Sequence, residues 1–165
     1  VIAFRGKADG TVSAKLAAEE AVMLTDLAGQ LIAILADRSP DGGGSGSGDP
    51  AVLRLLPDAY PGDPEASSEF RRFTADGLAE RKSANANAVI ESLTDVAAGR
   101  TRTLRLDQPA AQAWLRSLTD LRLTIAARLG IETDDDRASS DDPLGAIYDW
   151  LGFVQGTLVE ALDRP

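Results

Sequence analysis

The stretch DQPAAQAWLRSLTDLRLTIAARLG, Asp107 to Gly130, decides what kind of fold this chain adopts. Trp114, Leu118, Leu121, Ile125 and Leu129 recur three or four residues apart, so one face of a helix collects them all. Asp107 supplies an acceptor for the free amides of the first turn, and Gly130 suits the left-handed stop that ends a helix. Arg116 and Asp120 lie four apart, which predicts a minor surface ion pair, and Arg122 stands at the edge of the apolar stripe.

Upstream, RTRTLRLD predicts a strand over Thr101–Leu106. Its partners are expected in VIAFRGKADGTVSAKL, where two short apolar runs flank the turn signal Asp9-Gly10 and predict a hairpin. A helix is predicted from about Ala17 to Asp37, with Leu24, Leu27, Leu31 and Ile34 on its core face and Ala28 and Leu35 beside them. Residues 38–49 include the glycine and serine run Gly42–Gly48 and predict a flexible link. The run lacks the Gly-Lys-Ser/Thr and the preceding strand that a phosphate-binding loop needs.

Asp49-Pro50 opens a short helix stopped by Pro57, and Asp63-Pro64-Glu65 repeats the start signal before Phe70 and Phe73. A longer helix runs to about Ala97 with Leu78, Asn85, Val89, Leu93 and Val96 in one stripe and Lys82 at its edge. Asn85 is thus a polar residue on a core-facing track, read as a hydrogen-bonded structural asparagine, with a ligand contact as the alternative.

Downstream, IETDDDRASSDDP forms an acidic loop over residues 131–142. It fails as a calcium loop: from Asp134, Ala138 and Ser139 stand where a ligand and the glycine belong, and Gly145 occupies the place of the closing glutamate. It is read as an interhelical loop that neutralises nearby arginines, with a docking strip for a basic partner as the alternative. Asp142-Pro143 then starts a last helix, with Leu144, Ile147, Leu151, Val154, Leu158 and Leu162 on one side and Trp150 and Phe153 on the other. A helix apolar on two sides predicts a central position or a subunit contact, and the central position is the one expected. Asp149 lies on its glycine side between Tyr148 and Trp150. A carboxylate buried there needs a partner, so an interhelical ion pair with Arg122 is expected, Arg105 being second choice and a catalytic or ligand-binding acid the alternative.

The expected architecture is therefore mainly α, in the α+β sense: a single helical domain over residues 1–165 with a small N-terminal antiparallel sheet. The chain holds no cysteine and no histidine. That removes disulfides, thiolate and imidazole metal sites, thiol nucleophiles and Ser-His-Asp chemistry. No catalytic motif, cofactor or metal is implied; an enzyme here would need carboxylates and a hard cation. The residues of VIAFRGKADG form no signal peptide, and Leu144–Leu162 carries Asp149, Gln155, Thr157 and Glu160, which a bilayer would penalise. A cytoplasmic protein with no membrane partner is expected.

The net charge of −9 is uneven: residues 131–165 carry −7 and residues 1–130 carry −2. Between Arg100 and Arg128 stand six arginines against two aspartates. The overall field opposes nucleic acid, although an arginine patch beside a three-stranded wing leaves a DNA-binding regulator as the alternative function.

The strings LLPDAYPGDPEASSEFRRFT, AWLRSLTDLRLTIAARLGI and YDWLGFVQGTLVEAL resemble the actinobacterial family called domain of unknown function 2017, over most of the chain. The resemblance brings no catalytic residues. It implies cytoplasmic proteins whose genes commonly lie beside that of the Clp protease adaptor, some carrying the label of transcriptional regulator. Leu16-Ala17-Ala18-Glu19-Glu20 lacks the capping aspartate associated with this helix start, and the Gly/Ser run is an apparent insertion. The function expected is a non-enzymatic interaction or regulatory protein, connected with Clp-dependent proteolysis and acting on an unidentified protein partner; the two-sided last helix also allows self-association.

Overall fold

The computed structural model describes residues 2–37, 49–56, 76–132 and 142–163. The Gly/Ser link, the Asp63-Pro64 helix start with Phe70 and Phe73, and nearly all of the acidic loop lie outside the described residues. Among the described residues three strands and five helices follow in the order β1 (Ile2–Gly6), β2 (Val12–Lys15), α1 (Ala18–Ala36), α2 (Pro50–Leu55), α3 (Asp76–Ala97), β3 (Thr103–Leu106), α4 (Gln108–Leu129) and α5 (Pro143–Asp163). The mainly helical architecture with a small N-terminal sheet is what the periodicities predict.

The sheet is antiparallel in the order β1-β2-β3, so the third strand joins the hairpin as expected. At the hairpin turn Gly10 adopts φ 79°, open to glycine without strain, while the Asp9 carboxylate accepts the Thr11 amide at 3.0 Å and its hydroxyl at 2.7 Å. Side chains alternate along each strand. Phe4, Val12, Ala14, Leu104 and Leu106 are buried against the helices, whereas Arg5, Lys15, Thr103 and Arg105 are exposed. In α5, Thr157 Oγ1 accepts the Phe4 amide at 3.4 Å, where the β1–β2 register is irregular, so a helix covers that edge of the sheet.

The stretch Asp107–Gly130 behaves as its caps and stripe require. Asp107 accepts the Ala110 amide at 2.9 Å, and Gly130 closes the helix at φ 71° with Ile131 N–H returning to the Ala126 carbonyl. Trp114, Leu118, Leu121 and Ile125 are buried, with Leu129 half-buried beside them. Trp114 joins three elements: its ring meets Phe4 of β1 edge-on at 5.9 Å, and its indole N–H donates to Ser92 of α3 at 2.8 Å.

Two expectations need correction. The central helix is α4, which touches α1, α2, α3, α5 and β3, whereas α5 packs on α4, β1 and β2 and leaves Leu144, Phe153 and Val159 exposed. Its second apolar side is an outer face. The core stripe of α3 keeps Val89, Leu93 and Val96 as expected, but in its first half runs through Ala79 and Ala86 in place of Leu78 and Asn85. Small alanines let α3 lie close along α1, its most extensive neighbour, and this turns Asn85 and Leu78 to half-buried flanks.

Candidate functional site

The buried polar residues among those described, Ser117 and Asp120, lie on α4, and side chains of this helix fasten it to three neighbours. Toward α3, Asp120 is 3% exposed and its Oδ1 accepts from Lys82 Nζ at 2.5 Å. The surface pair expected between Asp120 and Arg116 does not form: Asp120 points inward to Lys82, and Arg116 is exposed. Burial pushes the Asp120 carboxyl above its ordinary range, and the Lys82 ammonium offsets part of that rise. One turn earlier, Ser117 is buried too, and neither its hydroxyl nor Asp120 Oδ2 has a hydrogen-bond partner. Burial is thus the larger effect, which is the reason its charged form is disfavoured despite Lys82.

Toward α5 the fastening uses no ion pair. The Arg122 guanidinium lies 4.7 Å from the centre of the Tyr148 ring, and its Nη1 donates to Gln155 Oε1 at 3.1 Å. Gln155 Nε2 returns a bond to Thr119 Oγ1 at 2.7 Å. A Cβ at Gly152 would stand 3.5 Å from the guanidinium carbon, an ordinary contact, so the arrangement does not depend on the glycine. Arg122 therefore does reach the last helix, but not at Asp149. That carboxylate is exposed, which corrects the expected buried ion pair: helical phase turns Asp149 to solvent while Tyr148, Gly152 and Gln155 share the side facing α4. Trp150 is half-buried at the margin of the core.

Toward α2, Arg128 grips Asp49 with both terminal nitrogens, at 2.7 and 3.0 Å. This hydrogen-bonded guanidinium holds the Asp49 carboxyl below the usual range, outweighing its partial burial. Arg54 of α2 donates to the Ile131 carbonyl at 2.6 Å, just past the α4 stop. Arg100 pairs with Asp95 at the exposed end of α3.

The sequence singles out Asn85, Asp120, Arg122, Tyr148, Asp149 and Trp150. Of these, Arg122 lies over Tyr148, whereas Asp120 pairs with Lys82 and Asp149 faces solvent. Lys82, Thr119 and Gln155 are the partners sequence reasoning missed; Lys82 at the edge of an apolar stripe was the available signal. Among the described residues no group of three or more acidic side chains is placed to hold a metal ion, and no helix is long and apolar enough to cross a membrane.

Fold and fastenings define a mainly helical α+β protein whose long fourth helix is bound on three sides by polar contacts. The chain belongs to the family described as domain of unknown function (DUF2017), which matches residues 1–162. Proteins of Mycobacterium tuberculosis and Mycobacterium bovis named oxidative stress regulator AosR are each 33% identical to it over 174 residues, covering 89% of this chain and 80% of theirs. No solved structure matches the chain.

Proposed function

We propose that this chain is a non-catalytic regulatory protein that works by binding another protein in the cytoplasm. The observation that carries the reading is the engagement of the arginine-rich segment inside the fold. Arg100 pairs with Asp95, Arg122 with Tyr148 and Gln155, and Arg128 with Asp49. Arg122 and Arg128 thus fasten α4 to its neighbours and Arg100 is held in an exposed ion pair, which weakens the alternative of a DNA-binding strip along that segment. The name of the mycobacterial relatives supports a regulatory role. If this chain shares their link to oxidative stress, the signal does not pass through a thiol of these residues, because they include no cysteine. The narrower connection, with Clp-dependent proteolysis, rests on the gene neighbourhood that the family resemblance implies.

The test is a tagged pull-down from the native host, with and without peroxide treatment, beside a DNA retention assay at low ionic strength. Reproducible recovery of one protein partner, with Clp components the named expectation, is the supporting result. Salt-sensitive retention of duplex DNA, abolished by replacing Arg102 and Arg116 with alanine, would instead establish the DNA-binding reading.

A further inference from the structure

The arginine-rich segment is conspicuous in the sequence, but the basic surface the fold assembles draws on three separate parts of the chain. Strand register sets Arg5 of β1 opposite Ser13 of β2, and Ser13 opposite Arg105 of β3. The three residues form one row across the sheet. Lys15 stands two residues along β2 from Ser13 and therefore on the same face. Arg5, Lys15 and Arg105 are all exposed, and none forms an ion pair with a described residue. Inter-strand spacing places the backbone positions of Arg5 and Arg105 about 10 Å apart, with Lys15 displaced by about 7 Å along the strand.

We propose that this solvent face of the sheet, Arg5, Lys15 and Arg105 around Ser13, docks a short acidic segment of the protein partner. This rests on the reading of the chain as a protein-binding regulator and names the chemistry of its partner. Charge complementarity selects the occupant: three cations are held at fixed strand positions on a chain whose net charge is −9. The hydroxyl of Ser13, half-buried between the two arginines, adds a polar group at the middle of the row.

The same surroundings favour a short acidic peptide over a nucleic acid. A duplex is a continuous polyanion, and its binding strength grows with the number of phosphates neutralised. This face offers three cations, and the hairpin tip beside it carries Asp9. The Thr11 hydroxyl and amide hold that carboxyl below its usual range, so a negative charge is fixed next to the patch. Asp9 also attracts Arg105, so the row matches a short acidic segment that engages a few cations, whereas an extended phosphate backbone would have to run on past Asp9.

The experiment measures fluorescence anisotropy of a labelled oligoglutamate peptide and, separately, of a labelled duplex DNA of similar charge. The whole chain is compared with Arg5→Glu/Arg105→Glu and with the milder Arg5→Gln/Arg105→Gln, each checked for an unchanged melting curve. Arg116→Glu serves as an exposed-arginine control away from the sheet. The expected result is peptide binding that weakens with salt, falls about tenfold or more on double charge reversal, falls less with glutamine and is unmoved by Arg116→Glu. Peptide binding that is absent at low salt, or indifferent to both sheet variants, overturns the proposal. Tighter binding of the duplex through the same two arginines also overturns it and assigns the face to nucleic acid. Loss of self-association in the sheet variants, measured by light scattering, overturns it in favour of a contact between copies. A pull-down that still recovers its partner with the sheet variants leaves the regulator reading standing and removes only this face.

Discussion

Two sets of basic residues in this protein invite comparison: the three arginines of α4, Arg116, Arg122 and Arg128, and the three cations on the sheet face, Arg5, Lys15 and Arg105. The first set is close in sequence and dispersed in space. A helix turns successive residues through about 100°, so Arg116, Arg122 and Arg128 leave α4 in different directions. Arg122 meets α5, Arg128 meets α2, and Arg116 is exposed. The second set is scattered in sequence and gathered in space, because antiparallel register brings residues 5, 13 and 105 into one row. A charge run along a helix is thus weak evidence for a charged surface, and cross-strand register can build one from residues a hundred positions apart.

The predictions that bear on this difference span a range of sizes. The largest effect belongs to Asp120, whose loss leaves Lys82 without its partner next to the core. Asp120→Ala should cost about 3 kcal/mol in urea unfolding, at the low end for a broken buried pair because Lys82 reaches solvent. Arg122→Ala comes next, at about 1–2 kcal/mol for a stacked cation and one hydrogen bond to Gln155.

The ion pairs also differ in the sign of their pH dependence. Asp120 has a raised carboxyl in the folded state, so the stability linked to it is full below the unfolded value near 3.8 and is lost as pH rises through the folded one. Asp49 has a lowered carboxyl; its contribution is present above that unfolded value and is lost as pH falls through the folded one. Unfolding measured against pH should therefore lose its mildly acidic gain in Asp120→Asn. It should lose part of its acid-side decline in Arg128→Ala, which otherwise costs at most about 1 kcal/mol.

The smallest effects are on the exposed side of the comparison. Gly152→Ala should raise stability by about 0.5–1 kcal/mol, since alanine favours the helix and its methyl would make ordinary contact with Arg122. Asp149→Ala should change stability by less than about 0.5 kcal/mol, because the carboxylate is exposed.

Much of the fold was legible because caps and periodicity agreed. Asp107, Gly130 and the Trp114-to-Ile125 stripe mark one helix unambiguously, and Asp9-Gly10 marks the hairpin. The first half of the α3 stripe was displaced by one residue, while Val89, Leu93 and Val96 held, because alanine carries little contrast: Ala79 and Ala86 are core residues that could equally stand on a surface. The polar partners were less legible for a different reason. Spacing within one helix nominated Arg116 for Asp120, but the partner came from another helix, and phase within α5 sent Asp149 away from Arg122. Tertiary packing selects such pairs, and local sequence carries no record of which helices become neighbours. The basic sheet face was hidden similarly, since Arg5 and Lys15 gain their significance only from register with Arg105.

The central claim is that Arg122 and Arg128 of α4 hold the fold while Arg5 and Arg105 of the sheet face are free for a partner. Urea unfolding of Arg122→Ala and Arg105→Ala, side by side under one buffer, tests it most directly. The account predicts a loss of about 1–2 kcal/mol for Arg122→Ala and less than about 0.5 kcal/mol for Arg105→Ala. Equal losses, or a larger loss at Arg105, would contradict it.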